Sequence, residues 1–381
     1  MKKKLIRIST VPISLYLFLD GQLKFLNQEF DVLAVSSPGK YLDLIKEREG
    51  IRVARVEIKR RISPLNDIIS LYKLYRLFKK EKPDIVHSIT PKAGLLAMIA
   101  ARLAGVPYRL HTFTGLIFPS KTGVIKNILI WMDKLLCTCA TSIYPEGIGV
   151  KSDLINYKIT NKPLKIIANG NINGIDTDFF SSQLLDQLDI SNLKVRYHIK
   201  PNDFIFVFIG RLVKDKGINE LVRAFSNLNK RRSSIKLFLV GDFEPEFDPL
   251  EAATLAEIKT NENIIYVGFQ TDVRPFLQAA NVFVLPSYRE GFPNAVLQAC
   301  SMGLPCIVTD VNGSNEIIEN EINGIIIHPK SIIELEESMA NMVNLKYDLK
   351  KMGTISRLKM VDKFTTKLVW NRLLEEYKNL L

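Results

Sequence analysis

Short apolar runs of strand length alternate along this chain with longer stretches in which apolar residues recur every three or four positions. Leu5 to Ile8, Val32 to Val35 and Val53 to Ile58 have the length and β-branching of buried strands. Ser63 and Pro64 then open a helical pattern to about Lys80, with Leu65, Ile68, Ile69, Tyr72, Tyr75 and Leu77 at helical spacing. Asp84 to Ile89 reads as strand, Lys92 to Ala104 as helix and Tyr108 to Phe113 as strand. Lys126 to Ala140 reads as helix, Ser142 to Tyr144 as a short strand, and Leu164 to Ala168 as the last strand of this half. Strands separated by helical stretches need crossover connections, so the expected sheet is parallel and doubly wound.

From Asn169 the periodicity fails, and the polar stretch to about Asp203 reads as a connector. A second alternation follows: Phe204 to Ile209, Ile235 to Val240, Ile264 to Val267 and then Val282 to Leu285. Beyond Leu285 a loop, Ser287 to Phe292, carries Glu290 and Gly291 at its tip. Pro293 suits the first turn of a helix, where its missing N–H costs nothing. Val296, Leu297 and Cys300 give that helix one apolar face, Gly303 stops it, and Cys306 to Val308 starts the next strand. Gly313 to Glu316 opens a further helix, Gly324 to Ile327 forms a strand, and the tail from Ser331 is helical. The expected architecture is α/β. Two Rossmann-like, doubly wound parallel-sheet domains are predicted, over residues 1–173 and 204–381, joined by a connector over 174–203. The final helix is a candidate to pack back on the first domain.

Composition fits this picture. The 381 residues are 47% hydrophobic and 24% charged, the balance of a globular enzyme. No apolar run reaches the roughly 18 residues needed to span a bilayer. The basic start, MKKKLIRI, leads through Val11 to Leu19 into Asp20-Gly21 without a small-residue cleavage site, and reads as a first strand and loop rather than a signal peptide. Cys137, Cys139, Cys300 and Cys306 have no histidine beside them and read as reduced core residues of a cytosolic protein. Charge is uneven. Residues 1–173 hold 28 Lys and Arg against 13 Asp and Glu, whereas the remainder holds 24 against 27. The first half therefore suits an anionic partner. Nothing resembles a nucleic-acid-binding module, so an anionic membrane surface or a lipid-linked diphosphate fits better. A nicotinamide dehydrogenase is disfavoured because no G-x-G-x-x-G follows an early strand.

The candidate chemistry sits at the ends of strands in the second half. Glu290 is a carboxylate on a loop at a strand's C-terminal end, facing a fresh helix N-terminus, which is where parallel sheets bind ligands and free N–H groups attract phosphate. Arg211 and Lys216 lie in a loop after another strand, with Gly210 and Gly217 letting the backbone approach. The run from Glu290 through Gly291, Phe292 and Pro293 resembles the motif of retaining glycosyltransferases of family four, which have the GT-B fold. Gly-Arg-Leu-x-x-x-Lys-Gly, from Gly210 to Gly217, matches that family's diphosphate-binding loop. The resemblance covers nearly the whole chain, strongly in the C-terminal half and loosely in the N-terminal half.

By this resemblance the two domains face each other across a deep cleft. Arg211 and Lys216, with the dipole of the helix from Asn294, would stabilise the charge growing on a leaving diphosphate without a metal or other cofactor. Glu290 would hold the donor sugar, and Gly291 and Phe292 would offer backbone N–H groups. The family's second glutamate, which binds the ribose, is here Gln298, which can bond a hydroxyl without charge assistance. Phe269 is a candidate for the base pocket. His111, at the end of a strand, stands where the family has a histidine near the transferred sugar. Thr90-Pro91-Lys92-Ala93-Gly94 resembles a segment of capsule and lipid-linked oligosaccharide glycosyltransferases, which makes Thr90 and Lys92 acceptor candidates. The family's glycine-rich loop after the first strand is replaced by Thr10-Val11-Pro12-Ile13, and Ile89 stands where related enzymes have a polar residue. Asp176-Thr177-Asp178 spells a DxD, but in a stretch that the family uses as a hinge, so no metal site is expected.

The implied activity is retaining transfer of a hexose or N-acetylhexosamine from a nucleotide-diphosphate sugar, with UDP the expected nucleotide. The implied acceptor is a polyprenyl-diphosphate-linked sugar. The expected setting is bacterial surface polysaccharide assembly, such as capsule or O-antigen, with the protein peripheral on the inner face of the cytoplasmic membrane. No carboxylate pair of the kind used by retaining glycosidases is seen, so same-face attack is expected rather than a covalent intermediate. Two rivals are a GT-B sugar-nucleotide epimerase and a catalytically silent binding protein, the latter motivated by Gln298.

Overall fold

A computed structural model of the chain describes residues 2–61 and 63–381. The chain divides into two compact units, one running up to Gly174 and completed by Thr366–Leu381, the other Ile175–Thr365. In the first unit the order is β1 (Lys4–Ile8), α1 (Pro12–Phe18), α2 (Gln22–Asn27), β2 (Asp31–Ser36), α3 (Lys40–Glu49) and β3 (Arg52–Arg55). It continues with α4 (Pro64–Glu81), β4 (Ile85–Ser88), α5 (Pro91–Ala104), β5 (Tyr108–Phe113), α6 (Gly123–Cys139), β6 (Ser142–Pro145) and α7 (Ile148–Asn156). The second unit holds α8 (Gln187–Arg196), β7 (Phe204–Ile209), α9 (Ile218–Asn229), β8 (Ile235–Val240), α10 (Ala252–Thr260), β9 (Ile264–Gly268), α11 (Arg274–Ala279) and β10 (Val282–Leu285). It ends with α12 (Asn294–Ser301), β11 (Cys306–Thr309), α13 (Ser314–Ile317), β12 (Gly324–Ile327), α14 (Ile332–Val343) and α15 (Leu349–Lys363), before α16 (Thr366–Leu380) returns to the first.

Each unit is built on one six-stranded sheet, ordered β3-β2-β1-β4-β5-β6 in the first and β12-β11-β10-β7-β8-β9 in the second. The strand pairs within them are parallel, from Lys4 opposite Asp31 in β1–β2 to Phe283 opposite Cys306 in β10–β11. The strands read as unbroken apolar runs because helices cover both faces. Phe206, Phe208, Phe238 and Phe283 are fully buried in the second core. In both sheets the order reverses at one point, between β1 and β4 and between β7 and β10. The crevice at the strands' C-terminal ends is where such sheets take ligands.

Four sequence expectations change. Within residues 11–19, Pro12–Phe18 form helix α1 rather than a loop, since Pro12 occupies its first turn and Leu15 turns into the core. Leu164 to Ala168 adds no strand: Leu164 makes one isolated bridge to Ile143, and Ala168 (φ 51°) turns the chain away. The stretch 175–203 is part of the second unit, with Ile175 bridged to Thr365 and Ile190 in its core. Finally, α4 turns Ser70, Leu74 and Phe78 inward and leaves Leu65, Ile68, Ile69 and Tyr72 on the surface. Helix α16 is held in the first unit by Trp370, whose Nε1 donates to Asn173 (2.7 Å), and by Tyr377, whose hydroxyl accepts from the buried Arg7 (2.7 Å).

Candidate active site

In the second unit the loops after β7 and β10 interlock at the point where the strand order reverses. Gly217 has φ 70°, and a Cβ there would lie 2.1 Å from the carbonyl oxygen of Pro286, so only glycine lets the two backbones meet this closely. The Tyr288 N–H donates to the Asp215 carbonyl at 2.8 Å, and the Tyr288 hydroxyl to Glu220 at 2.6 Å. Arg289 pairs with Asp215 at 2.8 Å. At the centre Lys216 Nζ meets Glu290 Oε1 at 2.5 Å, with the two side chains 20% and 10% exposed. The structure thus joins the cation and the carboxylate that the sequence offered as separate candidates. Unforeseen were the braces, Asp215 with Arg289 and Glu220 with Tyr288. Their partners are 74 and 68 residues apart, so the strand order rather than local sequence creates them.

Neighbouring loops extend the same surface. Gly313 (φ 73°) lies over the loop tip, where a Cβ would be 2.3 Å from the Gly291 oxygen and 2.6 Å from Phe292 Cα. Gly210 packs against Gly241 so closely that a Cβ on Gly241 would meet the Gly210 oxygen at 1.9 Å. Arg211, nearly half exposed, pairs with Glu244 at 2.7 Å. Phe292 turns its ring into the core against Phe364, leaving only its backbone and that of Gly291 to serve a ligand. Asn294 and Gln298, half-buried, are one turn apart on α12 and share a face. Phe269, at the end of the edge strand β9, is 41% exposed, and its N–H donates to Asp242 (3.1 Å). The hydroxyls of Ser287 and Ser314 are buried without a protein partner.

In the first unit the strand order reverses beside a different surface. Thr10, after β1, and Thr90, after β4, bond through their hydroxyls at 2.9 Å, and Thr10 Oγ1 also accepts the Ala93 N–H of α5. A cavity of about 290 Å³ opens there, lined in part by Thr10, Thr90, Lys92, Ile117, Met132 and Asp133. Lys92 pairs with Asp67 of α4 at 2.7 Å, which balances its charge. His111 is fully buried and does not line this cavity. Its Nδ1 bonds Ser88 at 2.8 Å, and a Cβ on Gly94 would lie 2.5 Å from its Cε1, so the imidazole supports the start of α5 from beneath. Burial drives its pKa down to about 3, which keeps the ring neutral. Asp133 was not singled out by sequence, although it is the one acidic residue in the apolar α6, which is a visible signal.

Elsewhere the DxD of the second unit is a turn: Asp176 Oδ1 accepts the N–H groups of Asp178 (3.0 Å) and Phe179 (2.9 Å). Among the described residues no group of three or more His, Cys, Asp or Glu side chains is placed to hold a metal ion. No described helix is long and apolar enough to cross a membrane. All four cysteines are free and buried, with Cys300 and Cys306 in sulfur contact at 3.7 Å. On the surface of the first unit α4 and α6 pack on α5 and expose apolar side chains: Leu65, Ile68, Ile69 and Tyr72 on α4, and Val124, Ile125, Ile128 and Trp131 on α6.

Residues 189–359 match the family described as glycosyl transferases group 1, and residues 15–144 match the family described as glycosyl transferase 4-like. The chain is 32% identical over 382 residues to the capsular polysaccharide biosynthesis glycosyltransferase CapM of Staphylococcus aureus, covering 100% of this chain and 98% of that protein. It is 33% identical over 345 residues to an Escherichia coli enzyme named UDP-Gal:alpha-D-GlcNAc-diphosphoundecaprenol alpha-1,3-galactosyltransferase, covering 89% and 86%. Among solved structures, Anabaena Alr3699/HepE in complex with UDP and glucose shares the fold with a TM-score of 0.83 at 17% identity, covering 99% of this chain and 100% of that one.

Proposed function

The chain belongs to the glycosyl transferases of group 1, and we propose that it moves a hexose or N-acetylhexosamine from a UDP-sugar to a polyprenyl-diphosphate-linked sugar, without a metal and with retention of configuration. The observation that carries this reading is the Lys216–Glu290 pair, placed by the interlocked loops where the second sheet reverses its order. A UDP-sugar entering there would set its diphosphate against Lys216, Arg211 and the first turn of α12, and its sugar hydroxyls against Glu290. As the bond from the anomeric carbon to the diphosphate oxygen breaks, negative charge grows on the leaving group next to fixed cations. The acceptor hydroxyl then bonds the same face of that carbon, and its proton passes to the departing diphosphate. Gln298, one turn into α12, would bond a ribose hydroxyl, with Phe269 beside the base.

The first unit would hold the acceptor. Its cavity carries Thr90 and Lys92, with His111 positioning α5 beneath them. The exposed apolar rows on α4 and α6 are unexplained by the fold but suit a peripheral seat on a membrane, with Lys73, Arg76, Lys79 and Lys80 on α4 and Lys121, Lys126 and Lys134 on or beside α6 available to anionic headgroups. These rows support a seat on the inner face of the cytoplasmic membrane, in surface polysaccharide assembly. The test is to incubate the protein in EDTA with UDP-galactose or UDP-N-acetylglucosamine and N-acetylglucosaminyl-diphospho-polyprenol. Label should enter the lipid fraction only when acceptor is present. Epimerised nucleotide sugar without acceptor would instead establish an epimerase, and UDP binding without turnover a silent binder.

A further inference from the structure

We propose that Asp133 selects the acceptor: its carboxylate accepts hydrogen bonds from neighbouring hydroxyls of the acceptor's sugar, seated in the cavity of the first unit. This rests on the acceptor reading of that cavity and adds the group that recognises its ligand. Around the wall the other polar groups named above are already engaged. Thr10 and Thr90 bond each other, and Lys92 pairs with Asp67 and donates to the Arg61 carbonyl. Among the described residues no hydrogen bond or ion pair reaches the Asp133 carboxylate.

A half-buried carboxylate that no protein group partners opposes the fold, and this one faces a cavity in which a ligand could engage it. The chemistry of the wall narrows the class. Leu95, Phe113, Ile117, Leu129 and Met132 offer C–H surface suited to the apolar face of a pyranose, and about 290 Å³ is near the lower end of small-molecule pockets. A carboxylate accepts strongly from hydroxyls and repels a diphosphate, so the sugar end of the acceptor, not its phosphates, lies against Asp133. Helix α6 also has two faces. Leu129, Met132 and Asp133 line the cavity, whereas Val124, Ile125, Ile128 and Trp131 are exposed. A molecule with a sugar head and a prenyl tail matches both.

Burial pushes the Asp133 carboxyl up to about 7. The other charged groups at this wall are Lys92 on α5 and Arg60 before α4, with the Cys137 thiol one turn on in α6. The ionised form accepts better, so acceptor affinity should rise with pH across 6 to 8. Stability should move the other way: a raised carboxyl pKa favours the fold below the ordinary aspartate range, and that contribution is lost as pH climbs through 7.

The test measures dissociation constants of N-acetylglucosaminyl diphosphate on a short prenyl chain, and of UDP, for the full chain and for Asp133→Asn and Asp133→Leu. The expected result is probe binding weakened roughly ten- to hundredfold in both variants, its pH dependence flattened, and UDP affinity unchanged. Both variants should melt higher than wild type at pH 8, which shows that they fold. Equal probe affinity in wild type and Asp133→Asn would overturn the inference while leaving the donor site intact. So would wild type that binds UDP but not the probe. Failure to bind either would overturn the donor reading as well.

Discussion

The two units share one strand order but use the point of reversal in opposite ways. In the second unit the loops after β7 and β10 are braced by Asp215–Arg289, Tyr288–Glu220 and the Gly217–Pro286 approach, with opposite charges already joined at Lys216–Glu290. In the first, the same place is a cavity with hydroxyls paired across it, an unpartnered carboxylate on its wall and apolar helix faces outside. Leaving-group chemistry needs charges fixed before the reaction begins, since preorganised dipoles need no rearrangement in the transition state. Holding an amphiphile needs room and apolar surface instead. On the proposed reading, equal topology supplies two different kinds of site, and the residues at the strand ends decide which.

The sharpest way to break this contrast is to remove the charge at its centre. Lys216→Ala should lower kcat/KM by about 10²- to 10³-fold, the loss typical of a donor aimed at developing charge. Arg211→Ala, more exposed and already paired with Glu244, should cost about tenfold. If both are unaffected and magnesium is strictly required, the fixed cations of the second unit do not carry the chemistry. A second difference concerns acid. His87 and His111 are fully buried in the first unit with pKa values lowered mainly by burial, whereas His198 and His328 of the second are exposed. Depressed histidines favour the fold above the ordinary imidazole range, and this contribution is lost as pH falls below that range, for His111 toward about 3. Hydrogen exchange between pH 7 and 4 should therefore show the first unit loosening before the second; simultaneous loosening would contradict this.

Membrane seating should separate the units less strongly. Replacing Ile125 and Trp131 by Ser should weaken binding to anionic vesicles several-fold, because each loses buried apolar area in the interface. Added salt should weaken what remains. Unchanged vesicle binding would leave these faces without a role in docking. The smallest effect expected is at Gln298. Gln298→Glu should alter the donor KM only a few-fold, as one hydrogen bond gains charge. If wild type is inert and this variant restores turnover, the chain is a silent binder.

Much of this organisation was legible in the sequence. Unbroken apolar runs such as Phe204 to Ile209 and Val282 to Leu285 became central strands, because burial on both faces leaves no polar alternation to mistake. Gly303 follows the end of α12 as a stop, whereas Pro293 is not in the first turn but caps the helix from an extended conformation (ψ 112°), one residue earlier than expected. What escaped depended on distance. Nothing near Tyr288 or Arg289 points to Glu220 or Asp215; the β7–β10 pairing brings them together. Helical spacing in α4 was visible, but not which stripe faces inward: Leu74 and Phe78 meet the core, while the richer row from Leu65 to Tyr72 is left outside. Only the fold shows that inversion.

The measurement that bears most directly on the second unit's role is single-turnover transfer from a UDP-sugar to N-acetylglucosaminyl-diphospho-polyprenol by wild type and Glu290→Gln, in EDTA, with UDP affinity determined on the same preparations. The expected result is a product that keeps the donor's anomeric configuration, formed at least about a hundredfold more slowly by Glu290→Gln, with UDP affinity changed only a few-fold. Normal turnover by Glu290→Gln, or a product of inverted configuration, would contradict the role assigned to the loop between β10 and α12.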